Sequence, residues 1–288
     1  MGYTSYCADV REVRASSLCY ASAPVDVTFK QQRERKIHDS MSPQGIVVRE
    51  CRDSDVHPNT IPIILTLDVT GSMGAIPRQL IADGLPTMMG TLIQNGVPDA
   101  SLMFMAIGDH ECDRFPLQVG QFESGDEELD MWLTRTYLEG GGGGNMGESY
   151  LLAWQFAANK TVTDAFEKRG QKGFLFTVGD EPCLPSIPKS AYKEVFGENA
   201  NYQSSSISKE ELLRQAQEKY NVYHIHIAHR GSVDESVAQG WRDLLGQNLI
   251  VIKDHNDLPK TISEIVLSNT PKTSIPSLVV EGDDEEIL

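Results

Sequence analysis

The chain is expected to form a mixed α/β domain, with a mostly parallel central sheet, one antiparallel edge strand and helices on both faces. Three observations lead there. Short apolar runs rich in branched residues alternate along the chain with longer stretches of helical spacing, and strands separated by helices pair in parallel. With 288 residues, 40% of them hydrophobic, the chain can bury one sizeable core. Finally, polar residues gather just after the apolar runs, where open α/β sheets bind their ligands: Asp68, Asp109, Asp180 and His229 each follow one.

The elements follow in order. Residues 1–58 mix short apolar runs (Ile46-Val-Val48) with charge clusters (Gln31-Gln-Arg-Glu-Arg-Lys36) and read as an N-terminal extension, partly packed and partly extended; His57-Pro58-Asn-Thr60 marks its end. The main domain spans 59–270. Ile61–Leu67 is a strand buried on both faces, with Pro62 near its start, where a missing N–H is tolerated. Apolar residues from Ile76 to Gln94 have helical spacing, Pro77 suits a first turn, and Gly84 and Pro86 predict a kink or break. Ser101–Ile107 is the second buried strand, and Arg114–Val119, with Pro116, is its hairpin partner at the sheet edge. Helices are expected over Glu127–Tyr137 and Glu148–Asn159, a strand over Gly173–Val178, and then a long insertion rich in Pro and Ser over residues 182–207. A polar helix over Lys209–Tyr220, N-capped by Ser208, precedes a strand at Val222–Ala228. A helix at Asp234–Leu245, a strand at Asn248–Ile252 and a helix at Leu258–Leu267 complete the domain. Residues 271–288 read as a solvated acidic tail, with carboxylates at Glu281 and from Asp283 to Glu286.

Lys and Arg total 25 against 41 Asp and Glu, a formal charge of −16 that repels phosphate backbones and disfavours general nucleic-acid binding. Five cysteines, with no C-x-x-C pair, disfavour a disulfide framework or a structural zinc site. No stretch has the length of a membrane span and the N-terminus has no secretory pattern, so a cytoplasmic location is expected.

The chemistry is concentrated in Asp68-Val-Thr70-Gly-Ser72. A carboxylate and two hydroxyls at alternate positions of a tight turn are hard oxygen donors, which suit Mg2+, with Mn2+ or Ca2+ as alternatives, over zinc or copper. The competing reading is a capped helix start, with Thr70 or Ser72 as N-cap. Asp180, after a neighbouring strand, can approach the same turn. Gly140–Gly144 lacks the Lys-Ser/Thr end of a P-loop. Asp109-His-Glu-Cys-Asp113 reads as a solvated hairpin tip, with a second metal or a partner-selecting rim as the alternative, and His224 and His226 as packed strand residues.

The Asp68-Val-Thr70-Gly-Ser72-Met73 segment after a buried strand resembles the metal-ion-dependent adhesion site of von Willebrand factor A (vWA) domains, Asp-x-Ser-x-Ser, with Thr70 in place of the first serine; Phe176-Thr-Val-Gly-Asp180 matches the family's later aspartate. The resemblance covers about residues 60–268. It implies a Rossmann-like fold with an edge hairpin, and metal-bridged binding of an acidic group on a protein partner; an AAA+ ATPase or a complex subunit is such a partner in intracellular relatives. The family also supplies a threonine from a glycine-rich loop, where this chain has Asn145, Met146, Gly147 and Glu148; Asn145 or Glu148 would stand in as oxygen ligand. Glu148 can also be read as a first-turn helix residue favoured by the helix dipole. Two further functions compete. One is a metal-dependent hydrolase or phosphotransferase with Asp68 as nucleophile, which lacks a second aspartate at position 70 to act as general acid. The other is a structural subunit whose metal staples its loops.

Overall fold

The computed structural model describes residues 4–74, 76–140, 147–197 and 204–270. Six strands form the central sheet, numbered here in chain order: β1 Ile61–Asp68, β2 Ala100–Ile107, β3 Leu117–Val119, β4 Gly173–Gly179, β5 Tyr220–Ile227 and β6 Leu249–Ile252. Their spatial order is β6-β5-β4-β1-β2-β3. Every neighbouring pair is parallel except β2–β3, the expected edge hairpin.

Successive side chains of a strand point to opposite faces, and both faces of the sheet are covered. Ile63, Leu65 and Leu67 of β1 join an apolar cluster with the helices Leu85–Gln94, Asp126–Thr134 and Leu258–Asn269. Ile64, between them, joins the opposite cluster, built with the helices Tyr150–Lys160, Lys209–Lys219 and Ser232–Leu245. Burial on both sides explains why β1, β2 and β4 read as unbroken apolar runs instead of alternating ones.

The expected break at Gly84 and Pro86 takes a specific form. Helix Ile76–Gln79 continues through a π-turn, Leu80–Gly84, into Leu85–Gln94. Leu85 N–H donates to Leu80 O, a five-residue step, and Pro86, which has no N–H to donate, falls in the first turn of the following segment. Within the π-turn the carbonyl of Ile81 accepts from the guanidinium of Arg11, a fully buried residue on the N-terminal helix Ala8–Ser17.

Parts of residues 4–58 are therefore packed on the core. Arg11 Nε lies 2.8 Å from Asp130 Oδ1, both side chains being inaccessible, and Arg14 Nη1 lies 2.5 Å from Asp126 Oδ2. Burial raises the Asp130 carboxyl to about 6 even though Arg11 and Arg14 pull it down. Phe29 and Met41 are fully buried in the core cluster on the π-turn face. Arg49–Cys51 pairs in parallel with Thr161–Thr163 as a separate two-stranded ribbon.

Three expectations need correction. Residues 182–207 are not simply an insertion of loop: Ser186–Pro188 pairs antiparallel with Ser206–Ser208, and between them the helix Lys189–Phe196 buries Ala191, Tyr192, Val195 and Phe196 at helical spacing. The helix expected from Glu127 to Tyr137 ends at Thr134. The helix expected from Glu148 starts at Tyr150, and Glu148 instead forms a parallel β-bridge with Cys183. Among the described residues no helix is long and apolar enough to cross a membrane.

Arg11→Ala removes the closest partner of the buried Asp130, which keeps Arg14 at 3.6 Å and the Tyr20 hydroxyl at 3.5 Å, and the expected loss of stability is about 1.5–3 kcal/mol in urea unfolding. The exposed Val13→Ala on the same helix is expected to change stability by less than about 0.5 kcal/mol. Equal effects would mean that the N-terminal helix does not depend on this pair.

Candidate metal centre

Strand register assembles the site. Leu67 of β1 lies opposite Val178 of β4, so the next residues, Asp68 and Gly179, are neighbours and Asp180 is one step beyond. On the other side Asp68 pairs with Ile107, and Gly108–Asp113 continues from there. The chain thus delivers Asp68, Asp109 and Asp180 to one end of the sheet, all of them inaccessible to solvent.

The turn after β1 is held by the Asp68 carboxylate. Its Oδ1 accepts from Thr70 N at 2.8 Å and from Thr70 Oγ1 at 2.7 Å, and its Oδ2 accepts from Tyr150 Oη at 3.3 Å. Gly71–Met73 then forms a short 3-10 turn. Tyr150 is fully buried, its ring edge-on to His224 and Trp241 at 5.1 and 5.3 Å. Its hydroxyl can reach Asp68 only because residue 179 has no side chain: a Cβ there would stand 1.8 Å from Tyr150 Oη and 3.1 Å from Asp68 Cβ.

Glu148 enters from the loop before the Tyr150 helix. Its N–H donates to Pro182 O at 2.8 Å and its carbonyl accepts from Leu184 N at 3.0 Å, so the residue is pinned by its backbone to the segment that follows Asp180. Its carboxyl is buried, and Oε2 has no hydrogen-bond partner among the described residues. Nearby, Asp109 Oδ1 accepts from Glu111 N at 2.8 Å, while Asp113 Oδ2 accepts from Asp109 N at 2.7 Å. The Asp109–Asp113 loop is thus partly internal, since Asp109 is buried, and differs from a fully solvated tip.

The electrostatics follow from crowding acids where water is excluded. Burial pushes Asp68 up to about 7, the charge of Asp180 adds to the rise, and the bonds from Thr70 and Tyr150 oppose it. Glu148 is pushed to about 10, first by burial and then by the charges of Asp68, Asp113, Asp109 and Glu181. The Tyr150 hydroxyl is raised well above its usual range by burial and by Asp68, Glu148 and Asp180, so it stays a donor.

Two nitrogen-bearing side chains face Asp180 from the loop after β5. His229 Nε2 lies 3.3 Å and Arg230 Nε 3.7 Å from Asp180 Oδ2. Arg230 also donates to the Asp180 carbonyl and pairs with Glu181, and its backbone N–H donates to Asp234. Asp234 Oδ1 lies in turn 3.1 Å from His226 Nε2. His224 stacks on Trp241 at 3.6 Å and its Nδ1 is 2.9 Å from Thr177 Oγ1. Both strand histidines are packed and buried, as expected.

Of the residues singled out in the sequence, the structure brings Asp68, Thr70, Asp180 and Glu148 to one place. The Ser72 side chain and Asn145 lie outside the described residues. Sequence reasoning missed Tyr150 and Arg230. Tyr150 was absorbed into an apolar helix, and only its adjacency to Glu148 and Ser149 hinted at the site; Arg230 directly follows His229 at a strand end.

The donor set fits a hard divalent cation: buried carboxylates, a threonine hydroxyl, and an acid oxygen with no hydrogen-bond donor. Among the described residues no three His, Cys, Asp or Glu side chains form a group able to hold a metal by themselves. A cation here would accordingly be held by hydroxyls and water as well as acids, in the way Mg2+ is usually bound.

No protein family matches the chain in sequence, and no curated protein does. Among solved structures it is similar to the pilus adhesin SpaC from Lactobacillus rhamnosus GG at 10% identity and TM-score 0.48, over 77% of this chain and 32% of that one. The open conformation of the same adhesin gives 9% and 0.49, over 77% and 31%. The vWF domain of the type V pili tip protein Mfa5 from Porphyromonas gingivalis gives 9% and 0.47, over 75% of this chain and 98% of that domain. The chain spans about a third of the length of SpaC.

Gly179→Ala forces a methyl group into Tyr150 and Asp68 and is expected to cost about 1–3 kcal/mol in denaturant unfolding, as overpacking does. Unchanged stability would show that Tyr150 is not held against Asp68.

Proposed function

We propose that the chain is a protein-binding module of the vWA type, which holds a divalent cation, Mg2+ above all, at Asp68, Thr70, Ser72 and Asp180 and presents it to an acidic group of a partner protein. The observation that carries this reading is the buried convergence of Asp68, with Thr70 bonded to it, and Asp180 at adjacent strand ends, together with the buried Glu148, whose Oε2 lacks a donor among the described residues. When bound, Mg2+ supplies a hard electrophilic centre for which a partner carboxylate is a ligand.

The chain's own residues have distinct tasks in this reading. Tyr150 and the two Thr70 donors orient the Asp68 carboxylate. Glu148 would contribute an oxygen, directly or through water, in the place of the threonine that vWA domains use. Arg230 offsets the charge of Asp180 from the side, and His229 lies against the same carboxylate. The Asp68 oxygens already accept three hydrogen bonds, which suits a ligand or water-orienting group better than the nucleophile of a phosphotransferase.

Isothermal titration of Mg2+ and Mn2+ into chelator-stripped protein tests the reading. Saturable binding is expected, with Asp68→Ala abolishing it and Tyr150→Phe weakening it about 10- to 100-fold, as loss of an outer-shell hydrogen bond does. Wild-type protein that binds neither ion, or an Asp68→Ala variant that binds as well as wild type, would overturn it.

A further inference from the structure

The N-terminal segment reaches the proposed metal turn. A cavity of about 200 Å³ lies directly beside Thr70 and Gly71, walled on one side by Val25 and Gln32 and on another by Leu138. Its walls are fixed by hydrogen bonds. The Gln32 side-chain amide acts like a strand partner towards Leu138, donating through Nε2 to Leu138 O and accepting at Oε1 from Leu138 N, both at 2.8 Å. Gly140 N, further along the same stretch, donates to Val69 O at 3.4 Å. The wall formed by residues 138–140 is thus tied both to the end of β1 and to the N-terminal segment.

We propose that residues 25–32 and the metal turn together form a recognition pocket for one aliphatic side chain adjacent to the partner's acidic residue. This rests on the reading of the metal turn given above. Thr70 belongs to both places: its hydroxyl bonds the Asp68 carboxylate, and the residue lines the cavity. A ligand whose carboxylate reaches the Asp68–Asp180 end of the sheet therefore brings its neighbouring side chain to the cavity. The volume suits that side chain, since an apolar cavity of about 150 Å³ takes a benzene molecule. Val25, 38% exposed, carries the apolar lining out to the surface. The charge of −16 sets the rest of the ligand: one acid for the metal, one aliphatic neighbour, and flanks that are neutral or basic.

Two synthetic peptides test this with the full chain, by fluorescence anisotropy in saturating Mg2+. One has the sequence Lys-Leu-Glu-Leu-Lys, and in the other glycine replaces both leucines. The leucine peptide is expected to bind about 10-fold more tightly or better, the effect of burying one aliphatic side chain. Val25→Arg, at a partly exposed position, is expected to bring the ratio close to one and to leave Mg2+ affinity and the unfolding midpoint unchanged. Equal binding of both peptides, lost on chelation, would overturn the pocket and leave the metal reading standing. Absence of binding by the leucine peptide at millimolar concentration would likewise overturn the pocket, and Mg2+ titration of the same sample would show whether the site beneath it survives. Binding of the leucine peptide that ignores chelation would contradict both.

Discussion

The parallel register between β1 and β4 is the constraint on which the rest of the site depends. With Leu67 opposite Val178, two acids from segments more than a hundred residues apart come to the same sheet end, inside a region closed to water. A slip of one residue would turn the side chains of β1 to the other face, exchanging Ile64 with Ile63 and Leu65 across two different apolar clusters. The cores on the two faces therefore secure the placement of the acids. Like charges gathered in a poorly solvated place are costly, and the surroundings answer this: Thr70 and Tyr150 donate to Asp68, and His229 and Arg230 lie 3.3 and 3.7 Å from Asp180 Oδ2.

Several local features follow from that assembly. Gly179 is bare because the Tyr150 hydroxyl occupies the place of its side chain. Glu148 is threaded as a β-bridge before its helix starts, which brings its carboxyl among the other acids and not onto a solvent-facing first turn. Arg11 is buried against the Ile76–Gln94 region, where it satisfies a π-turn carbonyl and balances Asp130. Its helix and the Val25–Gln32 segment that follows belong to one stretch of chain, which connects an unusual helix geometry with the rim of the proposed binding face.

Much of the sheet was legible in the sequence because period and composition agree. Ile61–Leu67, Ser101–Ile107 and Gly173–Val178 are each short apolar runs, and each is followed within two residues by an aspartate. The Asp68-to-Ser72 turn was legible for the same reason, as hydroxyls at alternate positions after a buried strand form a local pattern. Other parts depend on contacts with no local signature. The strands Arg49–Cys51 and Thr161–Thr163 are three residues each, and their pairing spans more than a hundred residues. The burial of Arg11 contradicts its usual preference and is explained only by Asp130 and the Ile81 carbonyl. The helix Lys189–Phe196 was hidden because the Pro and Ser around it dominate the composition, although Ala191, Tyr192, Val195 and Phe196 carry the helical period. Glu148 was misplaced onto a helix because its bridge to Cys183 is a tertiary contact.

The most direct test of the central claim is the location of a bound paramagnetic ion. Sub-stoichiometric Mn2+ added to isotopically labelled protein broadens the amide resonances closest to the ion. The account predicts that Val69, Thr70, Gly71, Gly179, Asp180 and Glu148 broaden first, and that excess Mg2+ restores them. Broadening centred elsewhere, on the acidic residues after 280 for instance, with these six amides unaffected, would contradict it.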